Sequence, residues 1–147
     1  MIKLKELEEM WNADAPIDQL ELGNDAGNVQ RLHAKYIIML SAAKLQLRSA
    51  EVSFYKMRKL RTAYYRGEMS QAELKELEWE QYRKNKPLKA ELEELLDCDD
   101  HLVKLLDKVE YLRVLCTTLE SIMKSIHSRT WDIKNAIEWK KFTAGLL

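Results

Sequence analysis

The sequence predicts an all-α protein built from long helices, and three observations carry that prediction. Four glycines and two prolines in 147 residues leave little material for turns. Val and Thr are sparse beside Leu, Lys, Glu and Ala, a usage that favours helix over strand. In the C-terminal half, Leu102, Leu105, Val109, Leu112, Cys116, Leu119, Met123 and Ile126 follow one another at alternating spacings of three and four residues. Those are the a and d positions of packed helices. Hydrophobic residues make up 46% of the chain, enough for a core and too many for global disorder.

The elements follow in order. Residues 2–11 read as a short amphipathic helix with Ile2, Leu4, Leu7, Met10 and Trp11 on its apolar side. The stretch from Asn12 to Pro16 breaks it, and Gly23 to Gly27 is a weak point or a cap before the next helix. From Asn28 to Arg66 there is neither Gly nor Pro, and Gly67 is placed as a C-terminal cap. Ser70-Gln71-Ala72-Glu73 is a capping box that starts a helix expected to end near Pro87. Another runs from Leu88 to about Ile126, with a kink expected over Ser128–Thr130 and a last segment to Gly145. Residues 1–67 thus form an N-terminal helical region containing a basic helix. Residues 68–147 form an acidic linker helix and C-terminal helices that make one structural unit.

The heptad stripe has two readings. Leu106, Leu115 and Ile122 widen it, which suits a helix with neighbours on two sides, as in an assembly of subunits. An intramolecular bundle core would show the same pattern, because a heptad fixes the packing mode and not the partner. As an assembly seam, it would consist of the eight residues from Leu102 to Ile126 named above.

Several function classes drop out. There is no Gly-rich phosphate loop, no HExxH and no G-x-S-x-G, and His33, His101 and His127 are scattered, so no enzyme is expected. Asp97, Asp99 and Asp100 read as a solvated acidic helix end. Cys98 and His101 make at most half a metal site, and both cysteines read as free buried thiols of a reducing cytoplasm. No cofactor is called for. The acidic start is no signal peptide, and no stretch has the roughly 18 uncharged apolar residues of a membrane span.

Charge carries more. The 24 basic and 24 acidic residues are segregated. Residues 1–30 hold seven acids and two bases, residues 44–66 seven bases against Glu51, and residues 68–100 eleven acids and five bases. On a helical wheel, Lys44, Arg48, Arg58, Lys59 and Arg66 share an arc of about 120° with Tyr55 and Tyr65, and Lys56 and Arg61 flank it. Cations in a line with interleaved tyrosines suit single-stranded DNA: the cations displace counterions along the phosphates, and unpaired bases stack on the rings. The rival is a helical scaffold or adaptor whose basic face is solvated, or neutralised by the acidic segment after Gly67. A membrane surface fits less well, because the face opposite the cations lacks the bulky apolar residues of interfacial helices.

The order and spacing of several segments resemble the UvsY-type recombination mediators of T-even-like bacteriophages. Ser128-Arg129, Ile133-Lys134, Ile137 and Phe142-Thr143-Ala144-Gly145 are similar to that family's tail. Ile17-Asp18, Leu20, Glu21, Asn28 and Lys35 are similar to its N-terminal pattern, and Lys59 through Gly67 to its middle motif. This chain is longer over 70–100, carries bulky Trp11 and Trp79, and extends the tail by Leu146-Leu147. The resemblance implies a homo-oligomeric ring, hexameric or heptameric, that binds single-stranded DNA in the cytoplasm of the infected host. It further implies partnership with a RecA-like phage recombinase and the phage single-strand-binding protein, and DNA contacts by Lys59 and Arg61.

Overall fold

A computed structural model of the chain describes residues 1–146, so Leu147 of the extended tail lies outside the described residues. Helix α1 (Leu4–Asp14) begins where the Glu6 carboxylate accepts the Lys3 backbone N–H at 3.2 Å. It runs past the expected break at Asn12 to Asp14; Ala15 still has helical dihedrals and donates its N–H to the Trp11 carbonyl, and Pro16, with no N–H to donate, ends the ladder. Helix α2 (Leu22–Arg66) is 45 residues long, about 68 Å. Gly23 and Gly27 lie inside its first turns, so the expected weak point does not interrupt it. Gly67 ends it in the left-handed region (φ 69°), with Gly67 N–H donating to the Tyr64 carbonyl and Glu68 N–H to that of Ala63.

The Ser70 hydroxyl accepts the Glu73 N–H at 3.2 Å and starts α3 (Gln71–Glu76) as expected. That helix stops at Glu76, about ten residues before the end that the sequence places near Pro87. Glu78 takes a positive φ of 57°, and Trp79 N–H reaches back to the Leu74 carbonyl. Tertiary contact overrides propensity here: Trp79 leaves the helix to meet the Tyr64 ring at 5.7 Å, and Tyr82 meets Tyr65 at 5.0 Å. Helix α4 (Lys89–Asp97) and helix α5 (Asp100–Thr143) replace the single helix expected from Leu88. The break falls at Cys98–Asp99, because Asp99 Oδ1 accepts the N–H groups of His101 and Leu102 and so caps α5. Helix α5 continues through Ser128–Thr130 without a break, so the last segment is not a separate helix. Among the described residues there is no strand.

Packing divides the chain into two compact units, and not at residue 67. One unit joins Met1–Leu45 with residues 112–146, and the other is Gln46–Tyr111. The first buries Leu7, Leu32, Tyr36, Leu40 and Ala43 together with Leu112, Leu115, Leu119, Ile122, Ile126 and Ile133. Arg129 is buried there and donates to the carbonyls of Ala15 (2.8 Å) and Pro16 (3.1 Å), tying down the turn after α1. The second unit packs Leu92, Leu96 and Leu102 against Phe54, Met57 and Tyr65.

The heptad stripe is therefore a core within one chain. Leu102, Val109, Leu112, Cys116, Leu119 and Ile126 are buried without any second copy, and Leu105 and Met123 are half-buried. The reading of the stripe as an assembly seam is corrected for these six, because side chains already covered by their own chain have no apolar surface left to offer; Leu105 and Met123 keep part of theirs. Cys98 also departs from expectation: it is exposed, and only Cys116 is buried.

In the first unit the Asp14 carboxylate accepts from Lys35 Nζ at 2.6 Å and from the fully buried Tyr36 hydroxyl at 2.7 Å. Burial alone would raise the Asp14 pKa, but these hydrogen bonds and the charges of Lys35 and Arg31 outweigh it and hold the carboxyl below 3.8. A depressed carboxylate contributes stability above its unfolded pKa and loses it as pH falls through the folded one. Tyr36→Phe is expected to cost about 1.5 kcal/mol at neutral pH, the low end for a bond to a charged acceptor. The difference from wild type should shrink as pH drops below 3.8. Urea unfolding at both pH values measures it.

Candidate nucleic-acid interface

The second unit carries most of the basic face. Arg48, Tyr55, Lys56, Arg58, Lys59 and Arg66 are all exposed on α2. Tyr55, Arg58, Lys59, Thr62, Ala63, Arg66 and Glu68 line an open groove of about 430 Å³ along the last turns of that helix. The helical repeat explains the grouping: positions 55, 59, 62 and 66 are three or four residues apart and share one side. Thr62, which the sequence reading passes over, returns its hydroxyl to the Arg58 carbonyl at 2.7 Å and leaves the rim to the cations. Glu68 is the groove's one acidic lining residue. Lys44 sits in the other unit and forms an exposed ion pair with Glu120 at 3.4 Å.

Two of the expected DNA residues point elsewhere. Arg61 is only 9% exposed, and its Nε donates to Asp99 Oδ2 at 2.7 Å. The guanidinium also lies over the rings of Tyr64 (4.2 Å), Trp79 (4.7 Å) and Tyr65 (5.1 Å). Tyr65 is half-buried and donates its hydroxyl to the same Asp99 oxygen at 2.6 Å, while accepting from Arg61 Nη2 at 3.3 Å. The expected DNA contacts by Arg61 and Tyr65 are corrected on this geometry: both polar ends are already bonded inside the unit.

Sequence reasoning misses Asp99. It groups this residue with Asp97 and Asp100 as a solvated helix end, yet the Asp99 side chain is 1% exposed. Burial alone would raise its pKa; hydrogen bonds from Tyr65 and Arg61, the Arg61 charge and the Leu102 N–H together lower it below 3.8. Burial, with the bond to Asp99 and its charge, raises the Tyr65 pKa against the opposing effect of Arg61. The signal available in the sequence is the pattern of an Asp directly before a long helix, which marks an N-cap.

The groove can hold phosphates electrostatically and stack a base on Tyr55, which is 55% exposed. No group of three or more His, Cys, Asp or Glu side chains suited to a metal occurs among the described residues. No helix among them is long and apolar enough to cross a membrane.

A family model described as "Recombination, repair and ssDNA binding protein UvsY" matches residues 10–146. The "Recombination protein uvsY" of Enterobacteria phage T4 is 25% identical over 144 residues, which are 98% of this chain and 99% of that one. Crystal structures of the bacteriophage T4 recombination mediator protein UvsY are similar in fold. One, in lattice type II, has a TM-score of 0.85 at 24% identity and covers 98% of this chain and 99% of that chain. Another, in lattice type I, has a TM-score of 0.82 at 22% identity over 94% and 98%.

Proposed function

Since the chain belongs to the UvsY family of recombination, repair and single-stranded-DNA-binding proteins, we propose that it works as a recombination mediator through the groove at the end of α2. The observation that supports this reading is the set of exposed cations, Arg58, Lys59 and Arg66, around the exposed ring of Tyr55. Arg48 and Lys56 extend the positive surface along the helix. Each subunit offers a modest site, and a closed ring of six or seven subunits multiplies it, since linked weak sites gain roughly 10²–10⁴ in avidity. A strand held extended over several subunits is open to a RecA-like recombinase that competes with a single-strand-binding protein. The role needs no catalytic residue, because it shifts a competition between two other proteins for one strand.

With the heptad stripe spent inside the chain, assembly falls to surfaces that one copy leaves open. Trp131, Trp139 and Phe142 on the last turns of α5 are each more than 60% exposed. They lie roughly opposite the buried Ile133 on the helical wheel. Trp139 and Phe142 stack at 5.7 Å, and such an exposed pair, with Trp131 further back along the helix, suits a partner surface of its own kind.

Two measurements test the reading. A fluorescent oligonucleotide titrated with the wild-type protein should bind single-stranded in preference to duplex DNA, with affinity falling steeply as salt rises. Light scattering should give a multi-subunit mass that drops toward one chain in Trp139→Glu/Phe142→Glu. Equal affinity for duplex would overturn the use of Tyr55, and an unchanged mass in the variant would move assembly off these rings. Absence of DNA binding at moderate salt would favour the scaffold reading.

A further inference from the structure

We propose that Arg61 serves the DNA groove as a positioning residue: it touches no phosphate, but fixes through Asp99 the helical turns that carry Arg58, Lys59 and Arg66. This role rests on the reading of that groove as the DNA site.

The geometry turns Arg61 away from a strand: its side chain is only 11% exposed. Its Nε is bonded to Asp99 and its Nη2 to Tyr65, and its planar face is covered by Tyr64 and Trp79. Its counter-ion is equally committed. Asp99 Oδ2 accepts from Arg61 and Tyr65, and Oδ1 accepts from two backbone N–H groups at the start of α5. Pulling Arg61 out to meet a phosphate would abandon a carboxylate whose side chain is 1% exposed. Exposing one partner of a buried pair in this way costs roughly a hundredfold or more in an equilibrium. One phosphate contact on single-stranded DNA at about 0.1 M salt returns roughly fivefold, from a slope of about 0.7. The pair wins.

What the pair fixes follows from the helix. Residues 59 and 61 lie about 160° apart around α2, so an inward anchor at 61 sets the direction in which 59 faces out. Arg58 is one turn before Arg61, and Arg66 is on the side of Lys59. The strap after α3 closes over the same spot: Tyr64 donates its hydroxyl to the Glu80 carbonyl at 2.6 Å, and the Trp79 ring meets both Tyr64 and His101. The end of α2 is thereby held by α5 through Asp99 and by the strap through Tyr64. Cations on an immobilised turn meet a strand without first losing their own freedom. Loss of that order costs roughly two- to tenfold in affinity per long side chain released.

The test is a salt titration of a fluorescent oligo(dT) with the full chain and three variants, each with helix content and oligomer mass measured under the same conditions. Arg61→Met keeps the side chain's length without its charge. Asp99→Asn keeps the cap on α5, because Asn and Asp cap equally well, but removes the charge that holds Arg61. Both should bind about tenfold more weakly than wild type while the slope of log affinity against log salt stays unchanged. Arg61→Lys, which retains an ion pair but not the fork to Tyr65, should recover part of the loss.

Asp99→Asn is the sharpest arm. Removing an acid from a DNA-binding protein ought to tighten binding by simple electrostatics, whereas the positioning role requires weaker binding. Tighter binding by Asp99→Asn, or a slope lowered by about 0.7 in Arg61→Met, would overturn the role and return Arg61 to the phosphates. Wild-type affinity in folded Arg61→Met, or no recovery by Arg61→Lys, would overturn it equally. Lys59→Ala in the same titration keeps the two readings separate. If its slope does not fall, the groove is not the DNA site, whatever Arg61 does.

Discussion

Leu119→Asp is expected to abolish folding of the single chain, not merely to separate subunits. Leu119 is 0% exposed, with Leu112, Leu115 and Cys116 also buried along α5 and Ile122 and Ile126 following. Truncation to Ala at such a site removes apolar burial and leaves a cavity, about 3–5 kcal/mol together. A carboxylate adds the desolvation of a charge buried among apolar side chains. The sum takes up most or all of the stability of about 5–15 kcal/mol expected of a domain this size. Circular dichroism should show Leu119→Ala folded with a lowered urea midpoint, and Leu119→Asp without a cooperative transition. A helical, monomeric Leu119→Asp that still melts cooperatively would mean that the stripe faces a second copy after all. Light scattering alone could not tell the two apart, since an unfolded chain and a dissociated one would both be lost from the proposed oligomer. Secondary structure and mass have to be read together.

The same stripe shows what the sequence makes legible and what it does not. Its spacing identifies a long helix with one buried face; the face is there, six of the eight stripe residues are buried, and the helix starts at Asp100, not Leu88. The partner is not legible, because Leu112 and Leu119 obey the same periodicity whether the groove they fill belongs to their own α2 or to a neighbour. Helix ends governed by local chemistry are also legible: Gly67 in the left-handed region and Ser70 as a cap depend on residues within one turn. Ends governed by distant contacts are not. Nothing near Glu76 announces that α3 should stop there; the cause is Tyr64 and Tyr65 on α2, which draw Trp79 and Tyr82 off the helical path.

The candidate site divides along the same line. Wheel geometry places Arg58, Lys59, Arg66 and Tyr55 on one exposed side, and the groove gathers those four. It also sets Arg61 at the edge of that arc, where a rotation of one side chain decides between solvent and interior. Charge alone favours solvent. Asp99 decides otherwise, from 38 positions further along the chain, a distance over which no local pattern carries information. The family resemblance assigns Arg61 to DNA by motif position, and a motif does not say whether a residue acts by touching the ligand or by holding a neighbour that does.

Replacing Arg58, Lys59 and Arg66 together with Ala is expected to produce the largest loss of DNA affinity available without unfolding the protein. All three side chains are exposed, so stability should change by less than about 1 kcal/mol. Each phosphate left without its cation lowers the slope of log affinity against log salt by about 0.7, so three should flatten it by about 2. At roughly 0.1 M salt that corresponds to a loss of about a hundredfold for one site, which the proposed ring, engaging several copies on one strand, would magnify. Tyr55→Ala removes the other half of the interaction and should look different. Stacking is worth about 1–3 kcal/mol per base and involves no counterion, so affinity should fall while the slope stays put. The preference for single-stranded over duplex DNA should narrow in Tyr55→Ala, because only unpaired bases can reach the ring, and should survive in the triple variant. If the triple variant keeps the wild-type slope, the strand runs elsewhere, and the basic end of α5 at Lys134, Lys140 and Lys141 becomes the next surface to alter. If it loses the slope and the oligomer at once, the end of α2 builds the ring as well as the DNA site, and binding and assembly cannot be separated by mutation there.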